Sequence, residues 1–279
     1  MQVFDNTNSL KQALNALKSS GKTIGFVPTM GALHEGHIAL VKKAISQVDH
    51  VVVSIFVNPT QFNNPTDLDK YPRTLEADVK LLNAAGDIII FAPTFEQIYP
   101  QDDYFEPIDL EGVDTVLEGK FRPGHFQGVV HVVRNLFQIV EPQKAFFGLK
   151  DFQQVAIIRM MVRKLNIPVE IIPCETERAS NGLALSSRNL RLNEQQKEDA
   201  LIIFQTLKYL RSIKNQHSPS VATALAIEFF NKGNLDLEYL EIVDGTDLQT
   251  LDNEWGTDAT CCIAAYCGEV RLIDNMQLN

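Results

Sequence analysis

The sequence predicts a doubly wound α/β domain with a parallel sheet, followed by a smaller α+β domain. Short apolar runs rich in β-branched residues, such as 51–57, are typical of buried parallel strands. Segments with apolar residues at helical spacing, such as 8–19, alternate with these runs up to about residue 173. This alternation indicates a sheet covered by helices on both faces. Helices precede strands in the later part, so we predict domains at 1–175 and 176–279.

Gly21 and Gly86 mark the predicted ends of two helices, and Thr74 is a predicted N-cap. The triplet 21–23 resembles the tail of a P-loop, but it precedes a strand, which favours an ordinary helix end. The stretch 93–124 is long for a connection, so it is expected to be functional or to hold short elements. In the first domain we predict strands at 24–27, 51–57, 87–91, 145–147 and 169–173, and helices at 8–19, 38–48, 74–85, 126–140 and 153–165. In the second domain we predict helices at 193–213 and 219–231, and strands at 235–243, 259–267 and 270–274.

The composition of the chain limits the classes of partner that we expect it to bind. The chain has 279 residues, 45% of them apolar, with a formal net charge of −10 and a pI of about 5.1. An acidic chain lacks the basic surface that nucleic acid or an anionic membrane requires, whereas a small phosphate-bearing ligand needs only local positive charge. The start at residues 1–5 lacks the basic character of a signal peptide, and no apolar run is long enough for a membrane span. We therefore expect a cytoplasmic protein whose four cysteines are reduced core thiols.

A turn with two histidines, residues 28–37, links the strand at 24–27 to the next helix. A helix N-terminus carries unpaired N–H groups and a partial positive charge, which suits phosphate, and His34 and His37 add donors there. Gly36 lies between them and has no side chain, so a flat ring could approach the backbone. Two alternatives remain open. The histidines could simply be solvated, or they could bind a metal, although no third ligand stands at a recognisable spacing.

Three other stretches carry polar groups that could bind a ligand. Lys150 follows a predicted strand, where a lysine can meet phosphate as a point charge, although surface lysines are usually solvated. The segment 186–188, Ser-Ser-Arg, offers hydroxyls and a guanidinium, although it also fits a polar loop with a helix N-cap. Gln61 and Gln154 offer amides for a carboxylate or hydroxyl, but most glutamines are merely exposed.

Together these motifs resemble those of the pantothenate synthetases, the pantoate–beta-alanine ligases. The resemblance runs across nearly the whole chain and implies a Rossmann-like nucleotidylyl-transfer domain with a His-x-Gly-His signature. That domain is similar to the nucleotide domain of class I aminoacyl-tRNA synthetases. The motifs are Pro-Thr-Met-Gly-Ala-Leu-His-Glu-Gly-His at 28–37, Phe-Val-Asn-Pro-Thr-Gln-Phe at 56–62, Gly-Lys-Phe-Arg-Pro-Gly-His-Phe at 119–126, Phe-Gly-Leu-Lys-Asp-Phe-Gln-Gln at 147–154 and Leu-Ser-Ser-Arg-Asn at 185–189.

The resemblance implies a two-step reaction. The carboxylate of pantoate attacks the α-phosphorus of ATP, which gives pantoyl adenylate and pyrophosphate. The amine of beta-alanine then attacks the acyl carbon, which gives pantothenate and AMP. Such chemistry needs positioning and charge neutralisation more than covalent help from the protein. Mg²⁺, held mainly by phosphates and water, would offset the remaining charge.

The resemblance also assigns roles to residues. His37 stands where the family has a proton donor, and His34, Lys150 and Arg188 add catalytic donors or positive charge. Pantoate is assigned to Gln61 and Gln154, and beta-alanine to Gln61. Arg122 and His125 lie in a family motif that could position a loop or a dimer contact, and a homodimer is expected. The ATP-binding residues are Met30, Gly31, Ala32, Leu33, His34, Glu35, Gly36, His37, Gly148, Leu149, Lys150, Asp151, Glu177, Leu185, Ser186, Ser187 and Arg188.

Two positions depart from common family residues, since many members have methionine where Leu185 stands and valine where Glu177 stands. Two other functions stay open. One is a cytidylyl- or adenylyltransferase with the same signature, which would transfer a nucleotide and stop. The other is a non-catalytic nucleotide sensor, which would not need the full set of phosphate donors. The paired amides of Gln61 and Gln154 and the motif at 56–62 favour the ligase over the transferase. The presence of Lys150, both histidines and Arg188 argues against the sensor.

Overall fold

The computed structural model describes residues 2–278, so that Met1 and Asn279 lie outside the described part. The chain divides into two compact units. The N-terminal unit holds the residues up to Thr115 together with Gly119–Leu149 and Gln154–Glu175. The C-terminal unit holds Val116–Glu118, Lys150–Gln153 and the residues from Thr176 onward.

A six-stranded parallel sheet forms the centre of the N-terminal unit, as predicted. The first strand was not predicted, because three residues are too few for a periodic pattern. The strands are β1 (Gln2–Phe4), β2 (Ile24–Thr29), β3 (His50–Ile55), β4 (Ile88–Phe91), β5 (Lys144–Gly148) and β6 (Glu170–Cys174), in the spatial order β1-β4-β3-β2-β5-β6.

Helices cover both faces of this sheet. On one face, Val27, Val53 and Ile90 pack in a fully buried cluster with apolar residues of the helices Glu35–Ile45 and Leu75–Ala85. On the other face, Phe26 meets Phe137 of the helix His125–Val140 edge to face. The helices are α1 (Thr7–Ser19), α2 (Glu35–Ile45), α3 (Pro65–Asp69), α4 (Leu75–Ala85), α5 (Phe95–Ile98), α6 (Leu117–Phe121), α7 (His125–Val140) and α8 (Phe152–Lys164), with short 3₁₀ turns at Pro59–Gln61 and Leu149–Asp151.

Two local expectations need correction, and two others are confirmed. Helix α2 begins at Glu35 and not at residue 38, because His34 caps it. Thr74 occupies the N-cap position of α4, but its hydroxyl donates to Asp78 and does not cap the backbone. The stretch 93–124 does hold short elements, α5 and α6. Gly21 ends α1 as predicted, with a positive φ of 78° and its N–H bonded to the carbonyl of Lys18.

The order of the strands creates a switch point next to β2. The chain runs from β2 outward through β3 and β4, and then returns to the other side of β2 to form β5. In doubly wound sheets, ligands bind outside the carboxyl ends of the strands at such a point, because the connections diverge there and leave a crevice. The turn at 28–37 follows β2, and Gly148 ends β5, so both flank this switch point.

An antiparallel three-stranded sheet forms the C-terminal unit with three helices, which confirms the α+β prediction. The predicted helix 193–213 is interrupted at Ala200, because Ile203 bonds to the carbonyl three residues back. All four cysteines are buried free thiols, as expected. The elements are α9 (Glu194–Asp199), α10 (Leu201–Ile213), α11 (Pro219–Phe230), β7 (Asp236–Asp244), β8 (Ala259–Cys267) and β9 (Val270–Gln277), and a further 3₁₀ turn spans Ser187–Arg191.

A charged cluster lies within this unit. Arg271 on β9 forms a two-point ion pair with Glu118, at 2.7 and 2.8 Å, and also contacts Glu238 on β7. The hydroxyl of Tyr239 donates to Glu118 at 2.8 Å. Burial opposes the charge of Arg271, but the hydrogen bonds that Arg271 donates to the two carboxylates outweigh it, so the pKa of Arg271 lies above its usual range. Within residues 2–278, no helix has the length and apolar character of a membrane span.

Candidate active site

The turn after β2 is held in a conformation that few residues adopt. Gly31 has a φ of +79° and Ala32 a φ of +49°, so two successive residues lie in the left-handed region. The N–H of Gly31 donates to the hydroxyl of Thr29, which in turn donates to the carbonyl of Ser54 on β3. These hydrogen bonds therefore attach the turn to the carboxyl end of β3, at the switch point.

His34 and His37 form a reciprocal cap at the start of α2. The Nδ1 atom of His34 accepts from the N–H of Gly36 at 3.2 Å, and Nδ1 of His37 accepts from the N–H of His34 at 3.3 Å. The rings lie 4.1 Å apart between centroids. A neutral imidazole that accepts at Nδ1 carries its proton on Nε2. Each ring therefore presents an N–H donor on its far side, at the positive end of the helix.

Gln61 lies next to this turn, in the loop that follows β3. Its side chain is buried, and its Nε2 atom is 3.1 Å from Sδ of Met30. The amide of Asn58 donates to Oε1 of Gln61 at 3.1 Å, which fixes the amide with its nitrogen toward Met30. The structure thus brings together two predicted site residues from neighbouring strand ends.

The main chain of Gln61 is held as firmly as its side chain. Nδ1 of His125 lies 2.6 Å from the carbonyl oxygen of Gln61, and Arg122 donates to the same oxygen at 3.4 Å. Gly128 of α7 lies against the same loop, since a Cβ there would be 2.4 Å from the carbonyl oxygen of Thr60. Arg122 and His125 therefore position the loop that carries Gln61.

The N-terminal unit also carries Gly148, Leu149 and Gln154. Gly148 is the last residue of β5 and Leu149 follows it directly, beside the switch point. Gln154 is half-buried in the first turn of α8. Within the described chain, no side-chain hydrogen bond joins Gln154 to Gln61. The structure therefore does not pair the two glutamines directly, although each lies beyond the carboxyl end of a strand of the same sheet.

The C-terminal unit carries the other predicted site residues. The Nζ atom of Lys150 is 3.6 Å from Oδ1 of Asp151, and the carbonyl of Lys150 accepts from Asn275 of β9 at 2.9 Å. The carbonyl of Glu177 accepts from the N–H of Leu185 at 2.9 Å, while the side chain of Glu177 is exposed. Two predicted residues therefore pair through their backbones.

The segment 186–188 combines an N-cap with the predicted donors. Oγ of Ser186 accepts from the N–H of Arg188 at 3.3 Å, Ser187 is buried and Arg188 is half-buried. Arg178 anchors the preceding residues through a two-point ion pair with Asp274 of β9, at 2.5 and 2.8 Å. Strand β9 thus supports this unit's site residues through two successive side chains, Asp274 and Asn275.

Comparison with known proteins gives the family. A family model described as Pantoate-beta-alanine ligase matches residues 2–277. The chain belongs to this family of pantoate–beta-alanine ligases. Pantothenate synthetase from Porphyromonas gingivalis is 50% identical over 279 residues, which cover 99% of each chain. This ligase is therefore an enzyme of pantothenate biosynthesis.

Solved structures of family members agree with the fold of this ligase. Pantothenate synthetase from Thermus thermophilus is 40% identical, with a TM-score of 0.93 over 100% of this chain and 99% of that one. Pantoate-beta-alanine ligase from Francisella tularensis, complexed with beta-gamma ATP and beta-alanine, is 40% identical, with a TM-score of 0.81 over 100% of this chain and 98% of that one.

Sequence reasoning missed two residues that hold the ligase loop at 58–61. Asn58 is buried and accepts from the hydroxyl of Tyr99 at 2.8 Å. Burial raises the pKa of Tyr99 to about 12, so this phenol keeps its proton and remains a donor at neutral pH. The polar loop after β3 was a visible signal for Asn58. Tyr99 lies in the irregular stretch after β4, where the sequence has no pattern that marks it.

Proposed function

We propose that this ligase activates pantoate with ATP and then joins it to beta-alanine. In the first step, a carboxylate oxygen of pantoate bonds to the α-phosphorus of ATP, and the bond from that phosphorus to the bridging oxygen breaks, so pyrophosphate leaves. In the second step, the amine of beta-alanine bonds to the acyl carbon and loses a proton. The bond from that carbon to the oxygen that bridges it to phosphorus breaks, so AMP leaves with the bridging oxygen. The observation that carries this proposal is the contact between Gln61 and the histidine turn at Met30.

We assign ATP binding to residues of both units. The turn supplies backbone groups and the imidazole donors, and the other residues supply the cations and hydroxyls that match phosphate oxygens. Support comes from the position of the turn at the switch point and from the cap that orients both rings. The assigned residues are Met30, Gly31, Ala32, Leu33, His34, Glu35, Gly36, His37, Gly148, Leu149, Lys150, Asp151, Glu177, Leu185, Ser186, Ser187 and Arg188.

Pantoate is assigned to Gln61 and Gln154, and beta-alanine to Gln61. Because Asn58 occupies Oε1 of Gln61, the nitrogen of that amide is the end that a substrate can approach. An amide nitrogen donates hydrogen bonds, so it suits a carboxylate or a hydroxyl oxygen. Gln154 offers a second half-buried amide after β5.

His37 is assigned the role of proton donor. Its acceptance at Nδ1 leaves a proton on Nε2, which can donate to a phosphate oxygen as charge develops on the leaving pyrophosphate. His34, Lys150 and Arg188 add further donors and positive charge. Together these groups would stabilise the charge of the transition state more than that of bound ATP, which is what accelerates the step.

Mg²⁺ is proposed to enter with the triphosphate. Within residues 2–278, no group of three or more His, Cys, Asp and Glu side chains could hold a metal ion. An ion whose ligands are mainly phosphate oxygens and water needs no such group, and Mg²⁺ beside nucleotides is usually bound in this way. Bound in this way, Mg²⁺ would neutralise phosphate charge.

The working form is proposed to be a cytoplasmic homodimer without a nucleic-acid or membrane partner. The family resemblance supports the dimer, and the net charge of −10 supports the absence of a polyanionic partner. We further assign residues 1–175 to an ATP- and pantoate-binding domain, and 176–279 to a smaller α+β domain.

Replacing Gly128 with alanine is expected to raise the KM for pantoate and to lower the free energy of unfolding by about 1–3 kcal/mol. The added Cβ would lie 2.4 Å from the carbonyl oxygen of Thr60 and 3.1 Å from Cα of Gln61, so that loop must shift. Initial rates and urea unfolding measure the two effects. Gln138→Ala, at an exposed position of the same helix, is the control. An unchanged KM for pantoate in Gly128→Ala would contradict the assignment of Gln61.

The reaction is tested by exchange of labelled pyrophosphate into ATP. We expect exchange only when pantoate is present, and release of AMP and pantothenate when beta-alanine is added. Exchange without any later coupling would indicate a nucleotidylyltransferase. Binding of ATP by the folded protein with no exchange would indicate a sensor. Either result would overturn the proposal.

A further inference from the structure

Asp78 is a buried carboxylate placed directly behind the histidine turn. It lies in the first turns of α4, and only 2% of the residue is exposed. Oδ2 of Asp78 accepts from the N–H of Ala32 at 2.9 Å, and Oδ1 accepts from the N–H of Leu33 at 2.8 Å. The hydroxyl of Thr74 donates to Oδ1 at 3.1 Å. A buried carboxylate is costly unless it is hydrogen-bonded, and here backbone amides of the turn stabilise it.

These contacts explain how the turn keeps its unusual backbone. Successive backbone N–H groups in a turn conformation can form a concave site that binds an anion. In this turn the concave site is filled by the carboxylate of Asp78, and a left-handed non-glycine residue, Ala32, is held against its steric cost. A Cβ on Gly31 would lie 3.0 Å from Oδ2 of Asp78, so the carboxylate also limits what can stand at that position.

We propose that Asp78 is a positioning residue that holds the turn at 30–33 in the form that binds ATP. This inference rests on the proposed function, because it adds an internal anchor to the same site. The N–H groups of Ala32 and Leu33 already bind the carboxylate, so the phosphate donors of this region are the start of α2 and the imidazoles. Asp78 acts on the nucleotide only through the turn. The conformation of the turn determines the position of His34, the N-cap residue of α2.

The test replaces Asp78 with asparagine, which keeps the shape but replaces one acceptor oxygen with an amide NH₂ donor. That donor opposes a backbone N–H, so the turn loses a partner and moves. We expect the KM for ATP to rise by about 10- to 100-fold, the loss expected for a small misplacement of binding groups. The KM for pantoate is expected to change by less than about twofold, because Asn58 and His125 hold Gln61 independently of Asp78.

Glu76→Gln is the matched control. Glu76 is an exposed acidic residue in the first turn of the same helix, so this change removes an equal charge without touching the turn. Its KM for ATP should equal that of the unchanged protein. A rise in Glu76→Gln as large as in Asp78→Asn would show a general charge effect and would overturn the proposal.

Amide hydrogen exchange gives a readout that needs no substrate. In Asp78→Asn we expect exchange at Ala32 and Leu33 to accelerate at least about tenfold, as local opening becomes easier, while Val52 in the core of the sheet stays protected. Equal acceleration at Val52 would indicate only a structural role and would overturn the proposal. Because this measurement needs no catalysis, it separates failure of this inference from failure of the proposed reaction.

Thr74→Val covers the case in which Asp78→Asn does not fold. This change removes one donor to Asp78 and leaves the carboxylate in place. The same two effects are expected, but smaller than in Asp78→Asn. The KM for ATP should rise while the KM for pantoate stays unchanged, and the amide of Leu33 should exchange faster. A folded Thr74→Val protein with neither effect would contradict the proposal.

Discussion

Replacing Lys150 with alanine is expected to lower pantoate-dependent pyrophosphate exchange by about 10²- to 10³-fold, the usual loss when one charge-stabilising donor is removed from a reaction site. Only 17% of the Lys150 side chain is exposed, and its ion pair with Asp151 is long, at 3.6 Å. The carbonyl that fixes its backbone is bound by Asn275, a contact that alanine retains. The variant should therefore fold normally and lose the charge alone.

The control for this prediction is Lys144→Ala. Lys144 lies at the opposite end of β5 and pairs with an exposed Glu170 at 3.5 Å. A lysine in a surface ion pair contributes little to stability, and this one is outside the assigned site. Thermal unfolding should be similar for both variants, while exchange falls only in Lys150→Ala. A loss of exchange in proportion to a loss of folded protein would contradict the assignment.

Replacing Arg271 with methionine is expected to lower the free energy of unfolding by about 3–5 kcal/mol, because it leaves buried carboxylates without a cation. The side chains of Arg271, Glu118 and Glu238 are 18%, 9% and 14% exposed. Burial raises the pKa of Tyr239, and the nearby charge of Glu118 raises it further, so the phenol stays protonated but cannot neutralise two carboxylates. Urea unfolding measures the effect.

Arg163→Met is the matched comparison for this loss. Arg163 pairs with Glu111 at 3.9 Å, and the two side chains are 70% and 54% exposed. Removal of such a surface pair should change the unfolding free energy by no more than about 0.5 kcal/mol. If Arg271→Met is as stable as Arg163→Met, the cluster around Glu118 does not hold the C-terminal unit together.

Much of the fold could be predicted because its signals are local. Strand β3 is a run of β-branched residues, and helix α1 repeats its apolar residues every three or four positions. The histidine turn could be found for the same reason, since its glycines and histidines lie within ten residues. By contrast, β1 is only three residues long and depends on pairing with β4.

The supports of the site could not be predicted in this way. Asp78 acts on Leu33, 45 residues earlier, and Tyr99 acts on Asn58 across 41 residues. Nothing near Asp78 in the sequence marks it as buried, because aspartate in the first turn of a helix is usually a solvated residue. The roles of these side chains depend on hydrogen-bond partners that are distant in the sequence and come close only when the chain folds.

The division of the chain into units has a consequence for its synthesis. The chain passes between the two units five times, because short pieces at 116–118 and 150–153 belong with the later residues. Glu118 leaves the ribosome 153 residues before Arg271, its ion-pair partner. A nascent chain that ends near residue 175 therefore contains the whole parallel sheet but keeps an acidic side chain without its cation. The N-terminal sheet can form early, whereas the residues around Glu118 must wait for the last strand to be made.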